Sequence, residues 1–171
     1  MNFASIVSFH SPSCSAASTL NAPHRIDTAA RLEAAYHELI PISAHMQISV
    51  KSWEDGKLVL HAPLAANINH QGSGFGGSLF SIAALAGWGI IELALADLDR
   101  PSNTVIANTD VGYKRPVFED FDCICELPET WDSCRETLLE NGRASLILKP
   151  SVVVGDDVAM TLSGRYVISL T

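Results

Sequence analysis

Residues 67–81, NINHQGSGFGGSLFS, carry the groups best suited to act on a carbonyl compound. Gly72, Gly74, Gly76 and Gly77 stand among Asn67, Asn69 and His70; no acid interrupts the stretch, and a long apolar run follows it. If that run is a helix, its first N–H groups lack helical acceptors and carry partial positive charge. Glycine at 76 and 77 would let a foreign carbonyl approach those donors with no Cβ in the way. The species such donors stabilise is the oxyanion that forms when a carbonyl is attacked, and one donor is worth roughly a hundred- to a thousandfold in rate. The same glycines would also serve a tight turn or close helix packing, and both uses stand open.

An attacked carbonyl also needs an attacking group. Asn69 can place a water through its amide but cannot take the proton. His70 is a candidate base, since histidine ordinarily titrates near 6.5; its plain alternative is a solvated loop side chain. Asp110 lies on the polar face of a later strand, where a second copy of the chain could present it to a cleft, or where it is simply a surface carboxylate. Ser81 falls one turn into the helix; its hydroxyl could line a pocket or bond back to its own helix. Ser73, Ser78 and Ser81 sit in no GxSxG-like pattern, which argues against a serine nucleophile.

The elements that must position these groups follow from periodicity. Residues 27–40, DTAARLEAAYHELI, open with Asp27 and Thr28 as caps and repeat apolar residues at helical spacing until Pro41. From Met46 the period is two, EDG at 54–56 marks a hairpin, and the alternation resumes at Leu58. Residues 78–98, SLFSIAALAGWGIIELALADL, are apolar on nearly every side. About 20 such residues would span a membrane, but Ser81, Gly87, Gly89 and Glu92 within the run favour a buried helix. Trp88 and Trp131 read as core residues. After Pro101 the chain reads as strands to its end, over about 105–114, 120–127, 143–154 and 157–170, with turns at ENGR (140–143) and GDD (155–157). One antiparallel sheet around one apolar helix is an α+β arrangement, and exposed sheet edges make pairing of two such units a natural completion.

Composition limits the partners. With 171 residues, 47% of them hydrophobic, the chain suffices for one well-packed domain, and a formal charge of −8 argues against nucleic acid and anionic membrane surfaces. Cys14, Cys123, Cys125 and Cys134 form no CxxC motif and no zinc-spaced quartet, so free thiols, no metal, no cofactor and a cytoplasmic location are expected. Residues 1–26 lack the basic start and apolar core of a secretory signal and are expected to be a disordered lead-in to a domain over 27–171.

The element order, the phrase APLAANINHQGSGFGGSLFSIAALAGWG and the later TDVGYKRPV resemble the hotdog-fold thioesterases. The nearest likeness is to the thioesterase domain found as the C-terminal half of YiiD-type proteins, over about residues 28–170. The resemblance implies a sheet wrapped round one helix in a homodimer or dimer of dimers. It also implies backbone amides of Gly76, Gly77 and Ser78 as the oxyanion site, and an acyl-CoA or acyl-carrier-protein thioester as substrate. Phe75 and Tyr113 would then flank the substrate beside Ser78 and Ser81. Lys114 and Arg115 would meet the phosphate of its pantetheine arm, unless they are only a solvated strand end.

Phenylacetyl-CoA-type hotdog thioesterases carry Asn-x5-His-Gly-Gly and an acid seven residues after the second glycine. Here Asn69 and Gly76-Gly77 match, Phe75 replaces the histidine, and Ala84 stands where the helix carboxylate would be. The leading expectation is hydrolysis by direct attack of water, with Asn69 placing it and His70 or Asp110 accepting its proton. The alternatives are a non-catalytic acyl-thioester binder, favoured by the missing carboxylate, and an enoyl-thioester hydratase or dehydratase.

Overall fold

The computed structural model describes residues 26–171; of the disordered lead-in expected over 1–26, residues 1–25, with Cys14, lie outside them. Ile26, assigned above to that lead-in, is buried in the core.

Helix α1 (Ala29–Leu39) is capped by the Thr28 hydroxyl, which accepts from the Arg31 N–H at 3.2 Å. Pro41 ends α1 as expected but also starts a second short helix, α2 (Pro41–His45), from its first position, where the missing N–H costs nothing. The hairpin β1 (Ser49–Glu54) and β2 (Lys57–Ala62) follows, then the loop and α3 (Gly76–Ala94). The rest comprises β3 (Ser102–Tyr113), β4 (Phe121–Glu126), α4 (Trp131–Asn141), β5 (Arg143–Leu148), β6 (Ser151–Val154) and β7 (Asp157–Leu170).

Among the described residues the strands form one antiparallel sheet in the order β1-β2-β4-β6-β7-β3, with β5 also on β7. The single strand expected over 143–154 is therefore two. Pro150 cannot donate to a ladder; on either side of it the chain leaves the C-terminal half of β7, which pairs with β5, for a place between β4 and the N-terminal half of β7. A second departure is α4, where only strands and turns were expected. Its stripe is thin, Trp131, Cys134 and Leu138, but it suffices to dock one face, and Gly142 at φ 69° supplies the left-handed cap that ends it.

Helix α3 lies under the sheet with Leu79, Ile82, Ala83, Leu85, Ala86, Ile90, Ile91 and Leu93 buried. It is long and apolar enough to cross a membrane by those criteria alone, yet more than half of it is covered by the fold. Two tyrosines reach its backbone from opposite elements. Tyr36 of α1 donates to the Leu85 carbonyl at 2.7 Å and Tyr166 of β7 to the Ala84 carbonyl at 3.1 Å. A Cβ on Gly89 would sit 1.9 Å from the Tyr36 hydroxyl oxygen, and one on Gly87 2.1 Å from that of Tyr166. The glycines of the GWG phrase thus let two buried phenols touch the helix.

The two edges of the sheet differ. At β1, Glu33 of α1 accepts from the Val50 N–H at 2.7 Å and His37 donates to the Ile48 carbonyl at 2.8 Å, so α1 covers that edge. Among the described residues strand β3 pairs only with β7, and Val105, Ile106, Ala107 and Asn108 along it are exposed.

Candidate functional site

The loop before α3 is organised by two asparagines. Asn67 is buried and ties the loop to the core, donating from Nδ2 to the carbonyls of Met46 (2.9 Å) and Pro63 (2.8 Å), while its backbone carbonyl accepts from the Phe75 N–H at 2.7 Å. The sequence assigns Asn67 no role; its place between apolar Ala66 and Ile68 was the one available signal. Asn69 closes the turn. Its Oδ1 accepts from the N–H groups of Gln71 (2.8 Å) and Ser73 (3.2 Å), and its Nδ2 donates to the Ser73 hydroxyl (3.0 Å) and the Gly74 carbonyl (3.4 Å). Gly72 at φ 78° makes that turn possible. Both ends of the Asn69 amide are occupied inside the loop. It therefore does not present a free amide to a water, as expected above, but fixes where α3 begins.

Helix α3 starts at Gly76, two residues earlier than the apolar run suggested. Phe75 is its cap residue, extended at φ −68° and ψ 126°, with no side-chain cap bond; its carbonyl accepts from the Leu79 N–H at 3.1 Å. Among the described residues no acceptor meets the N–H groups of Gly76, Gly77 or Ser78. Two aromatic rings flank them. A Cβ on Gly76 would stand 3.3 Å from the Tyr113 ring and one on Gly77 2.4 Å from the Phe75 ring. The Tyr113 hydroxyl donates to the Gly76 carbonyl at 2.9 Å. Phe75 and Tyr113 are each 56% exposed, so these rings line the helix start without sealing it. The glycines thus pack closely against these rings, and the donors beside them have no acceptor among the described residues.

The remaining candidates separate. Ser78 lies beside these amides, half-buried, and Ser81 donates back to the Gly77 carbonyl at 2.8 Å, the commoner alternative. His70 is exposed and has no hydrogen-bond partner among the described residues. Asp110 does not face α3 in its own chain. A bulge between Ile106 and Asn108 shifts the alternation, so Thr109, Val111 and Tyr113 pair with Gly164, Leu162 and Met160, and Asp110 pairs with exposed Ser163 on the other face. Lys114 and Arg115 are exposed at the end of β3 near the helix start; Arg115 is ion-paired to Asp157, while Lys114 has no ion pair among the described residues.

Position 84, where a helix carboxylate was sought, offers only a backbone carbonyl, and that accepts from Tyr166. The acid on α3 is Glu92, sixteen residues beyond Gly76 and so about 24 Å along the helix, too far to act at its own chain's helix start. Burial raises its carboxyl from 4.5 to about 7, and the nearby Thr104 hydroxyl pulls it part of the way back. An unfolded chain ionises this group near 4.5, whereas the folded chain holds its proton until about 7, so stability falls as pH rises between those values. The loss is at most about 3 kcal/mol, complete above pH 7. Chemical denaturation of wild type and Glu92→Gln from pH 4 to 8 should show this decline in wild type only; equal slopes would remove the assignment.

Two open hollows lie away from the helix start. One, of about 390 Å³, is lined by Cys134, Thr137, Arg143, Ala144, Ser145, Arg165 and Val167; the other, of about 690 Å³, lies over β4 and β6 near Ile124, Leu127 and Val153. No cluster of three or more metal-ligating side chains occurs among the described residues.

Comparison with known proteins adds to this geometry. The model of the YiiD_C family, described as "Putative thioesterase (yiiD_Cterm)", matches residues 29–170. A "putative thioesterase" from Shewanella oneidensis is 31% identical with a TM-score of 0.76, over 84% of this chain and 97% of that one. A protein of unknown function from Chlorobaculum tepidum is 25% identical with a TM-score of 0.77, over 85% and 98%. A Pseudomonas aeruginosa protein termed a probable thioesterase superposes with a TM-score of 0.70 at 23% identity, over 82% and 94%, a likeness of fold.

Proposed function

This chain belongs to the YiiD_C thioesterase family, and from that premise we propose that it hydrolyses an acyl thioester of coenzyme A or of a carrier protein by direct attack of water. One observation carries the reading: among the described residues the N–H groups of Gly76, Gly77 and Ser78 have no acceptor, at a helix start flanked by two half-exposed aromatic rings. A thioester carbonyl placed there would receive hydrogen bonds that strengthen as its oxygen becomes negative, which lowers the barrier rather than merely binding substrate. Phe75 and Tyr113 would hold the acyl or pantetheine chain, with Ser78 and Ser81 beside it. Lys114, without an ion pair among the described residues, would meet the phosphate, helped by Arg115 if that side chain leaves Asp157.

Asn69 acts in this account as a positioning residue for the glycines, through the loop bonds above. The proton of the water goes to His70, whose side chain is free to turn toward the site, or to Asp110 of a partner chain. The homodimer that the second option needs would form along β3, the sheet edge that α1 leaves uncovered. His70→Ala and a separate Asp110→Asn distinguish the two. The true base should cost roughly a hundredfold or more in kcat, while the other variant stays near wild type.

A second reading, an acyl-thioester binder without turnover, is favoured by the absence of any carboxylate at Ala84. A panel of acyl-CoA substrates with a thiol-trapping dye separates them. Saturable thiol release supports the hydrolase, and saturable binding without release supports the binder.

A further inference from the structure

Of the 11 lysines and arginines in this acidic chain, Arg31, Lys51, Lys57, Arg115 and Arg135 are ion-paired. Arg143 and Arg165 have no ion pair among the described residues, although the chain holds 19 acids, and both line the same hollow of about 390 Å³ between α4 and the sheet. Their placement follows from register. Ala144, Leu146 and Leu148 of β5 point into the core, so Arg143, Ser145 and Ile147 face outward, opposite Ser169, Val167 and Arg165 of β7. The two arginines therefore flank the Ser145–Val167 pair from either side, about 13 Å apart along the strand, with Thr137 and Cys134 of α4 as the wall.

We propose that this hollow binds a phosphate-bearing small molecule. Guanidinium groups pair with phosphate oxygens through two parallel N–H bonds, and long side chains can reach inward from both ends toward an anion between them. The Ser145 hydroxyl makes no hydrogen bond within the described residues and adds a donor from the floor; Thr137 has given its proton to the Ser133 carbonyl at 2.9 Å and can only accept. No carboxylate lines the hollow, and burial pushes the Cys134 thiol up, so it stays neutral and does not oppose an anion. The volume lies within the range of small-ligand sites.

Two sources share this chemistry: a free phosphate or nucleotide, and the nucleotide end of a coenzyme A thioester. The second rests on the hydrolase reading; the first does not. The test is thermal denaturation of the full chain with inorganic phosphate or adenosine 3′,5′-bisphosphate, against chloride at equal ionic strength. Wild type should show a saturable rise in Tm beyond that of chloride, and an Arg143→Ala/Arg165→Ala double variant should lose it while keeping its circular dichroism spectrum. An Arg143→Lys/Arg165→Lys variant should bind more weakly, since ammonium groups lack the paired donors.

Steady-state kinetics on the double variant then identifies the source. A KM for acyl-CoA raised about tenfold or more, with KM for an acyl-pantetheine lacking phosphate unchanged, assigns the site to the substrate. Unchanged KM values with phosphate binding lost assign it to a separate ligand. Phosphate binding reads out even if no thioester is hydrolysed. No response in wild type, or an equal response in the double variant, overturns the proposal.

Discussion

Gly89→Ala should destabilise the protein by about 3 kcal/mol, seen as a lower midpoint in urea with an unchanged slope. Alanine ordinarily strengthens a helix interior by about 1 kcal/mol over glycine, so the sign here is set by packing. The new methyl would fall 1.9 Å from the Tyr36 hydroxyl oxygen and 3.0 Å from a Leu32 methyl, both fully buried. Tyr36 cannot swing aside freely: its hydroxyl is bound to the Leu85 carbonyl, and its ring lies 5.6 Å from that of Trp88. Combining Gly89→Ala with Tyr36→Phe removes the clashing oxygen and should cost clearly less than the sum of the two single changes. A strictly additive pair would show that the phenol is not what the glycine accommodates.

Gly76→Pro should lower thioester turnover by roughly a hundred- to a thousandfold with the fold intact. Proline deletes one of the unpaired donors at a helix position that suits it, and Phe75 before it is already extended, as proline requires of its predecessor. The added Cβ would meet the Tyr113 ring at 3.3 Å, and that residue is more than half exposed and can yield. Proline at 77 is a poorer test: it would strike the Phe75 ring at 2.4 Å and strain a helical Gly76. The loss should appear in kcat with KM little changed, because the donor acts on charge that exists only at the transition state. Full kcat in a folded Gly76→Pro protein would remove Gly76 from the site.

What the sequence could show followed from how many residues carried each signal. The hairpin β1–β2 and the buried α3 were legible because long runs repeat at periods of two or are apolar throughout, and the resemblance carried by FGGSL and GWG led to the right fold. Helix α4 was missed because three buried residues among acids are too few to set a period. The β5–β6 break rested on one proline. At β3, a strict alternation would put Ile106 and Asp110 on one face; the bulge after Ile106 separates them, and nothing local in Ser102–Tyr113 encodes a bulge that the pairing with β7 imposes. Asn69 was expected to place a water, whereas its amide is bonded within its own loop; partners two to five residues away become visible only once the loop closes.

The most direct test places a carbon-13-labelled carbonyl at the start of α3. An acyl-CoA ketone, with a methylene in place of sulfur, cannot be hydrolysed and reports the polarity at its carbonyl by NMR. Bound to wild type, its carbonyl carbon should move downfield from its position in water, and Gly76→Pro should reverse much of that shift while still binding the ligand. An identical carbonyl shift in the two proteins, with the analogue bound to both, would contradict the assignment of the α3 amides to the thioester oxygen.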